Sequence, residues 1–207
     1  MPALRLGICA TLVATLALAA CGSSSNNATS TTTKKSGAST TAGGVSPNTP
    51  EASPSGDIPD NQVYVPYTDP SGPFTVKVPE GWARRSTGRV VSFTDKLNTI
   101  ALETVNAASA PTVASANAGE LPTIARTVKS YKAGTTTAKS RTGGPTVLIQ
   151  YQADSSPDAV TGKVIKLAVL RYEFWRNGKE GILTLSGPVT ADNVDPWNLV
   201  SNSFTWK

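Results

Sequence analysis

The chain predicts an α+β domain: an antiparallel β-sheet of about six to seven strands flanked by helices, an α/β/α sandwich. Three observations carry this. The C-terminal half holds four successive β-rich runs separated by short turn signals. One of them, 164–176, is largely apolar at both even and odd positions, as expected of an interior strand covered on two sides. Helical patterns stand at 112–128 and after Asp195, outside those runs.

Taken in order, "FTVKV" puts Phe74, Val76 and Val78 on one face and Thr75 and Lys77 on the other, a half-buried strand closed by the turn "VPEGW". "RVVSFTD" and "NTIALETV" predict two further strands joined through Lys96 and Asn98. Residues 112–128 predict a helix with Val113, Ala116, Leu121, Ile124, Ala125 and Val128 available for one face, broken or kinked by Gly119 and Pro122. "KSYKAGTTTAKSR", "PTVLIQYQAD", "GKVIKLAVLRYEFWR" and "KEGILTLS" follow as strands, linked by "TGGP", "SSPDAVTG" and "RNGK". Asn177-Gly178 suits a type I′ hairpin, because both residues tolerate positive φ. Asp195-Pro196 reads as an N-cap and first helical residue, and the terminal "SFTW" as a last strand.

Residues 1–20 read as a targeting segment. Arg5 is its only charge, and the apolar run that follows is short for a bilayer span. The run ends in Leu18-Ala19-Ala20-Cys21, which resembles the lipobox of bacterial lipoprotein signal peptides. The resemblance implies cleavage before Cys21, a diacylglyceryl thioether on its sulfur, and a membrane-anchored, extracytoplasmic product. The alternative is an uncleaved apolar helix with an incidental cysteine. Two acyl chains are about what stable anchoring needs. The chain has two cysteines, and Cys9 falls within the removed segment, so a lipidated Cys21 leaves no thiol for an intramolecular disulfide.

Residues 21–60 are Ser, Thr, Gly, Ala, Asn and Pro with almost no large apolar side chain, the composition of a disordered tether. At about 39 residues its r.m.s. reach is roughly 35 Å. Lys34 and Lys35 suit either anionic headgroups or plain solvation, and the Ser/Thr density also suits O-glycosylation. The folded domain is expected over 61–207.

The pattern "FTVKVPEGW", "VVSFTD", "EFWRNGKEGILTLSGP" and "VSNSFTW" resembles the PsbP-like fold family, which gathers an extrinsic photosystem II subunit, a nuclear Ran-binding protein and many bacterial lipoproteins. Phe74, Pro79, Gly81, Trp82, Phe93, Gly181 and Phe204 carry the resemblance. It implies an antiparallel sheet flanked by helices and a binding or accessory role rather than catalysis. No metal or partner motif of the photosystem subunit transfers to this chain.

With no histidine, Ser-His-Asp and Cys-His chemistry, histidine metal sites and histidine pH switches are all excluded. No G-x-S-x-G, Ser-x-x-Lys, Walker A or C-x-x-C pattern occurs. No cofactor and no metal are expected. Over 61–207, sixteen Lys/Arg stand against eleven Asp/Glu, a spread and mild excess that does not point to nucleic acid. Three local features stay open. Asp154 and Asp158 suit a weak Ca²⁺ loop or, more simply, a hairpin shaped by Asp and Pro. Trp82 with Arg84, Arg85 and Arg89 suits a cationic, aromatic-lined patch for an acidic polymer, phospholipid or envelope protein; otherwise Trp82 packs under the sheet edge and the arginines are solvated. Tyr131, Tyr151, Tyr172 and Trp175 suit either core packing or an apolar pocket between sheet and helix. The expectation is a monomeric, lipid-anchored binding or assembly module, with a carrier or sensor of a small apolar or lipidic ligand as the alternative.

Overall fold

The computed structural model describes residues 54–70 and 72–207. Cys21, the targeting segment and the tether as far as residue 53 lie outside the described residues.

The elements run β1 (Tyr64–Thr68), β2 (Phe74–Pro79), β3 (Ala83–Thr87), β4 (Val90–Asp95), β5 (Asn98–Asn106), α1 (Val113–Ser115), a π-turn (Ala116–Glu120), α2 (Leu121–Thr127), β6 (Lys132–Arg141), β7 (Gly144–Asp154), β8 (Lys166–Arg176), β9 (Lys179–Pro188), α3 (Val194–Asn202) and β10 (Thr205–Trp206). A seven-stranded antiparallel sheet has the order β3-β4-β5-β9-β8-β7-β6, and a smaller sheet has the order β1-β2-β10. The "FTVKV" strand therefore belongs to the small sheet, which shares one flanking layer with α3.

Cross-strand register lays out the two faces of the large sheet. On the first, Phe93, Ile100, Leu185 and Leu170 form one row and Val91, Leu102, Leu183, Tyr172 and Leu148 the next. These side chains meet Phe74, Val76 and Val78 of β2, Trp197 and Val200 of α3, and Phe204 in one core cluster. Phe174 and Phe204 stack at 4.0 Å with rings 4° from parallel. A Cβ on Gly181 would lie 2.7 Å from the Phe204 ring, so the position must be bare.

The second face is half covered. Ala116 and Ile124 pack on Val147 and Ile149, with Leu121, Val128, Tyr131 and Tyr151 around them. The helical arm that makes this contact is broken, as Gly119 and Pro122 predict. Thr112 and Ser115 form a reciprocal capping box at its start. The Leu121 N–H then bonds to the Ala116 carbonyl, a widened turn that admits the Pro122 ring where a regular α-helix would clash.

The structure adds one strand and corrects two expectations. Residues 83–87, to which the sequence pattern assigns no element, form a strand whose five residues are all exposed; with neither face buried, no alternation of apolar and polar residues marks it. The long strand begins at Lys166, not residue 164, and Val164 is 43% exposed. The N-cap position of α3 is Asn193, and Asp195 sits in the first turn. The Asn193 side chain does not cap, because it is committed elsewhere. Its Oδ1 accepts from the Ile58 N–H at 2.8 Å, and its Nδ2 donates to the Gly56 carbonyl at 3.0 Å and to Asn98 Oδ1 at 3.1 Å. Through the same bonds, the segment ahead of residue 61 joins the packing: Ile58 is 5% exposed within the main core. The Asn177-Gly178 hairpin forms as predicted, with φ of 49° and 79°.

Candidate binding surfaces

Trp82, Arg84, Arg85 and Arg89 do not form one patch. Trp82 is half-buried and meets Trp197 edge-to-face at 6.4 Å, under the sheet edge. Arg84 stands opposite Phe93 on the first face, its guanidinium 5.1 Å from the centre of the Tyr67 ring and 3.3 Å from its hydroxyl. Arg85 stands opposite Ser92 on the second face. Arg89 reaches Glu103 at 3.6 Å while staying 75% exposed. The strand period of two, invisible while β3 was unrecognised, splits Arg84 from Arg85.

Asp154 and Asp158 serve the loop between β7 and β8. Asp154 is held by Lys166 and the Ser130 hydroxyl, which keep its carboxyl below the usual range. Asp158 accepts from the Val160 and Thr161 N–H groups and the Thr161 hydroxyl, with the same direction of shift. Among the described residues, no group of three or more His, Cys, Asp or Glu is placed to hold a metal.

The four aromatics do not enclose one pocket. Tyr131 and Tyr151 pair at 5.7 Å beneath the helical arm, and Tyr172 belongs to the core on the first face. Trp175, on the second face, donates its indole N–H to the Ala107 carbonyl at 2.8 Å.

A cleft of about 430 Å³ opens instead between α3 and the first face. Leu170, Tyr172 and Trp197 line it with Gln150, Gln152 and Asn198, and Val194, 64% exposed, stands at its rim. A bulge in β6 shapes one wall. The register shifts between Ala133 and Thr136, and a Cβ on Gly134 would lie 2.4 Å from the Gln150 carbonyl oxygen. The Thr135 hydroxyl bonds Gln150 Oε1 at 2.7 Å and orients that amide. Arg141 pins β6 to α3, donating to Ser201 at 3.1 Å, Tyr172 at 3.2 Å and Asn198 at 3.3 Å. Among the described residues, no charged side chain lines the cleft. Sequence reading missed it because the bulge and the seat of α3 are tertiary. The one local signal was two glutamines, at 150 and 152, on a strand otherwise rich in Val, Leu and Ile.

A second, more open hollow of about 550 Å³ lies at the other end of the second face, with Leu97, Ile165 and Leu167 as its floor and Lys96 and Lys163 on its sides.

The charged groups of the interior gather on the second face, under the arm. Arg171 bonds Glu120 at 2.7 Å and Glu173 at 2.9 Å. Glu173 is 3% exposed, and burial pushes its carboxyl up against the pull of Arg171. Glu180 lies across from Trp175, beside a cavity of about 190 Å³ that it lines with Glu120, Glu173 and Ser115. Burial, then the Glu173 charge, pushes Glu180 up to about 7. One arginine shared among three carboxylates leaves the third without a counter-ion.

The fold is PsbP-like: a large antiparallel sheet, a small second sheet and helices on both faces. Among solved structures, the chain is similar to cyanobacterial PsbP (CyanoP) from Synechocystis sp. PCC 6803 at 15% identity, over 73% of this chain and 98% of that one, with a TM-score of 0.51. It is also similar to the Saccharomyces cerevisiae Ran-binding protein Mog1p at 10% identity, over 62% of this chain and 79% of that one, with a TM-score of 0.44. No protein-family model and no curated protein matches the chain.

Proposed function

We propose that this protein is a non-catalytic binding module, held by a lipid on Cys21 at the extracytoplasmic face of a bacterial membrane, which engages an envelope partner through the cleft beside α3. The observation that carries the reading is the chemistry of that cleft: apolar and aromatic side chains on the floor, amides at the sides, and no charged group among the lining residues. A surface of this kind suits recognition, with the amides fixing orientation and the apolar floor supplying affinity. Acid–base or nucleophilic catalysis needs a titratable group placed to act on a substrate. The interior carboxylates stand on the other face of the sheet, in a smaller cavity.

A second reading is favoured by the cleft's size. About 430 Å³ falls within the range of small-molecule pockets, which suits a carrier of a small apolar or lipidic ligand.

Both halves of the proposal are testable in the lipidated full-length protein. Mass spectrometry of the mature N-terminus is expected to find diacylated Cys21; an unmodified chain beginning elsewhere contradicts the anchor. A photo-cross-linking residue at Val194 is expected to capture one discrete envelope protein in cells, while the same probe at Val160, 93% exposed on the β7–β8 loop, captures none. A lipid or other small-molecule adduct at Val194 establishes the carrier. Equal, diffuse labelling from both positions overturns the cleft as a recognition site.

A further inference from the structure

We infer that the free edge of β3 is a docking strand for an extended acidic segment of a partner protein, which pairs with Ala83–Thr87 as an eighth strand of the large sheet.

Among the described residues, β3 is hydrogen-bonded to β4 on one side only and ends the sheet on the other. An unpaired edge offers a row of N–H and C=O groups to any compatible strand, so proteins usually blunt such edges with proline, a bulge or short length. The other edges here are blunted in those ways. β1 carries Pro66, β10 has two residues, and β6 carries the bulge at Gly134. β3 has five regularly paired residues, all exposed, with no proline, glycine or bulge among them. Gly81 and Gly88 bracket it at φ of 83° and 59°, and nothing lies within 4 Å of where a Cβ would stand on either. The approach to the edge is open at both ends.

What guards this edge is charge alone, and charge selects. Arg84 and Arg85 are consecutive, so they project to opposite faces of the sheet. The Arg85 side chain makes no ion pair or hydrogen bond with any described residue, and the Arg84 guanidinium lies over the Tyr67 ring and bonds its hydroxyl. A second copy pairing through β3 brings arginines against arginines, and like charges set opposite each other destabilise a sheet. An added strand with two consecutive acidic residues places one carboxylate against each arginine, one on each face. The same pair of side chains thus rejects self-association and admits an acidic strand. The edge is separate from the α3 cleft, and either assignment stands if the other fails.

The test uses the full-length protein with two blocked peptides, Thr-Val-Glu-Glu-Val-Thr and its Lys-Lys counterpart, each carrying a fluorophore. The acidic peptide is expected to bind at least tenfold more tightly and to slow amide hydrogen exchange at 83–87. In an Arg84→Glu/Arg85→Glu variant the preference is expected to invert. Because both arginines are exposed, that variant keeps its fold; should it fail to fold, the two peptides on the wild-type protein still decide the question. Absent binding, equal binding of the two peptides, or protection elsewhere than 83–87 overturns the proposal. Protection of the outward amides of 83–87, those not bonded to β4, before any peptide is added also overturns it, since another part of the chain or a second copy then holds the edge.

Discussion

The two faces of the large sheet meet the same problem, a strand that must be covered on both sides, and solve it differently. On the first face the rows are apolar from β4 to β8, end on β7 at Gln150 and Leu148, and close against β2, α3 and Phe204. On the second face, Arg171 and Glu173 interrupt the apolar row of β8, and the broken arm above them supplies Glu120. The first face is held by area and shape, the second partly by a charge network with one base for three acids. Buried apolar area is insensitive to pH, whereas a network of this composition is not. The difference also sorts function: the uncharged cleft belongs to the first face and the titratable cavity to the second.

The largest expected effect tests the first face. Phe174→Ala opens a cavity against Phe204, and denaturant unfolding should show a loss of about 3–5 kcal/mol. A loss below about 1 kcal/mol would mean that the ring stack does not organise the core. On the second face, Arg171→Met leaves Glu173 buried beside two further carboxylates, at an expected cost of about 3 kcal/mol. Adding Glu173→Gln should recover most of that loss, because it removes the stranded charge. If it recovers nothing, Arg171 acts through packing instead.

A smaller effect separates the faces by pH. Glu180 titrates at about 7 in the fold against 4.5 for the free side chain, so between those values the folded protein keeps a proton that the unfolded chain has released. Stability is therefore predicted to fall as pH rises from about 4.5 to 7. Glu180→Gln should flatten that slope in thermal melts run across the window. Smallest is the surface pair at the β7–β8 loop. At Asp154 the hydrogen bonds from Lys166 and Ser130 outweigh the opposing desolvation and lower the carboxyl, so its contribution is present above 3.8 and lost as pH falls below it. Asp154→Asn should remove a slight acid sensitivity, lowering stability a little at neutral pH and leaving it unchanged below the acid transition.

The legible parts of this fold were those governed by local chemistry. Asn177-Gly178 specifies its turn wherever it stands, and Gly119 with Pro122 breaks a helix whatever lies beneath it. The residues that carry the family resemblance are mostly packing residues. Phe74, Phe93 and Phe204 are buried, and Gly181 is bare because a ring occupies the space of its Cβ. The rest was hidden for a physical reason in each case. β3 buries neither face, so its pattern is that of a loop. Arg171 and Glu173 sit at alternate positions in an apolar run, but their partners Glu120 and Glu180 come from separate elements. Asn193 looks like an ordinary cap until Gly56, Ile58 and Asn98 arrive to claim its amide.

The proposed recognition site is the first-face cleft, and one measurement reaches it directly. Leu170→Asp places a charge on the cleft floor, and the Val194 cross-link is then compared with wild type in cells, alongside the thermal midpoint of each purified protein. The adduct is expected to disappear while the variant still unfolds in one cooperative transition. An undiminished adduct from a folded Leu170→Asp protein would contradict it.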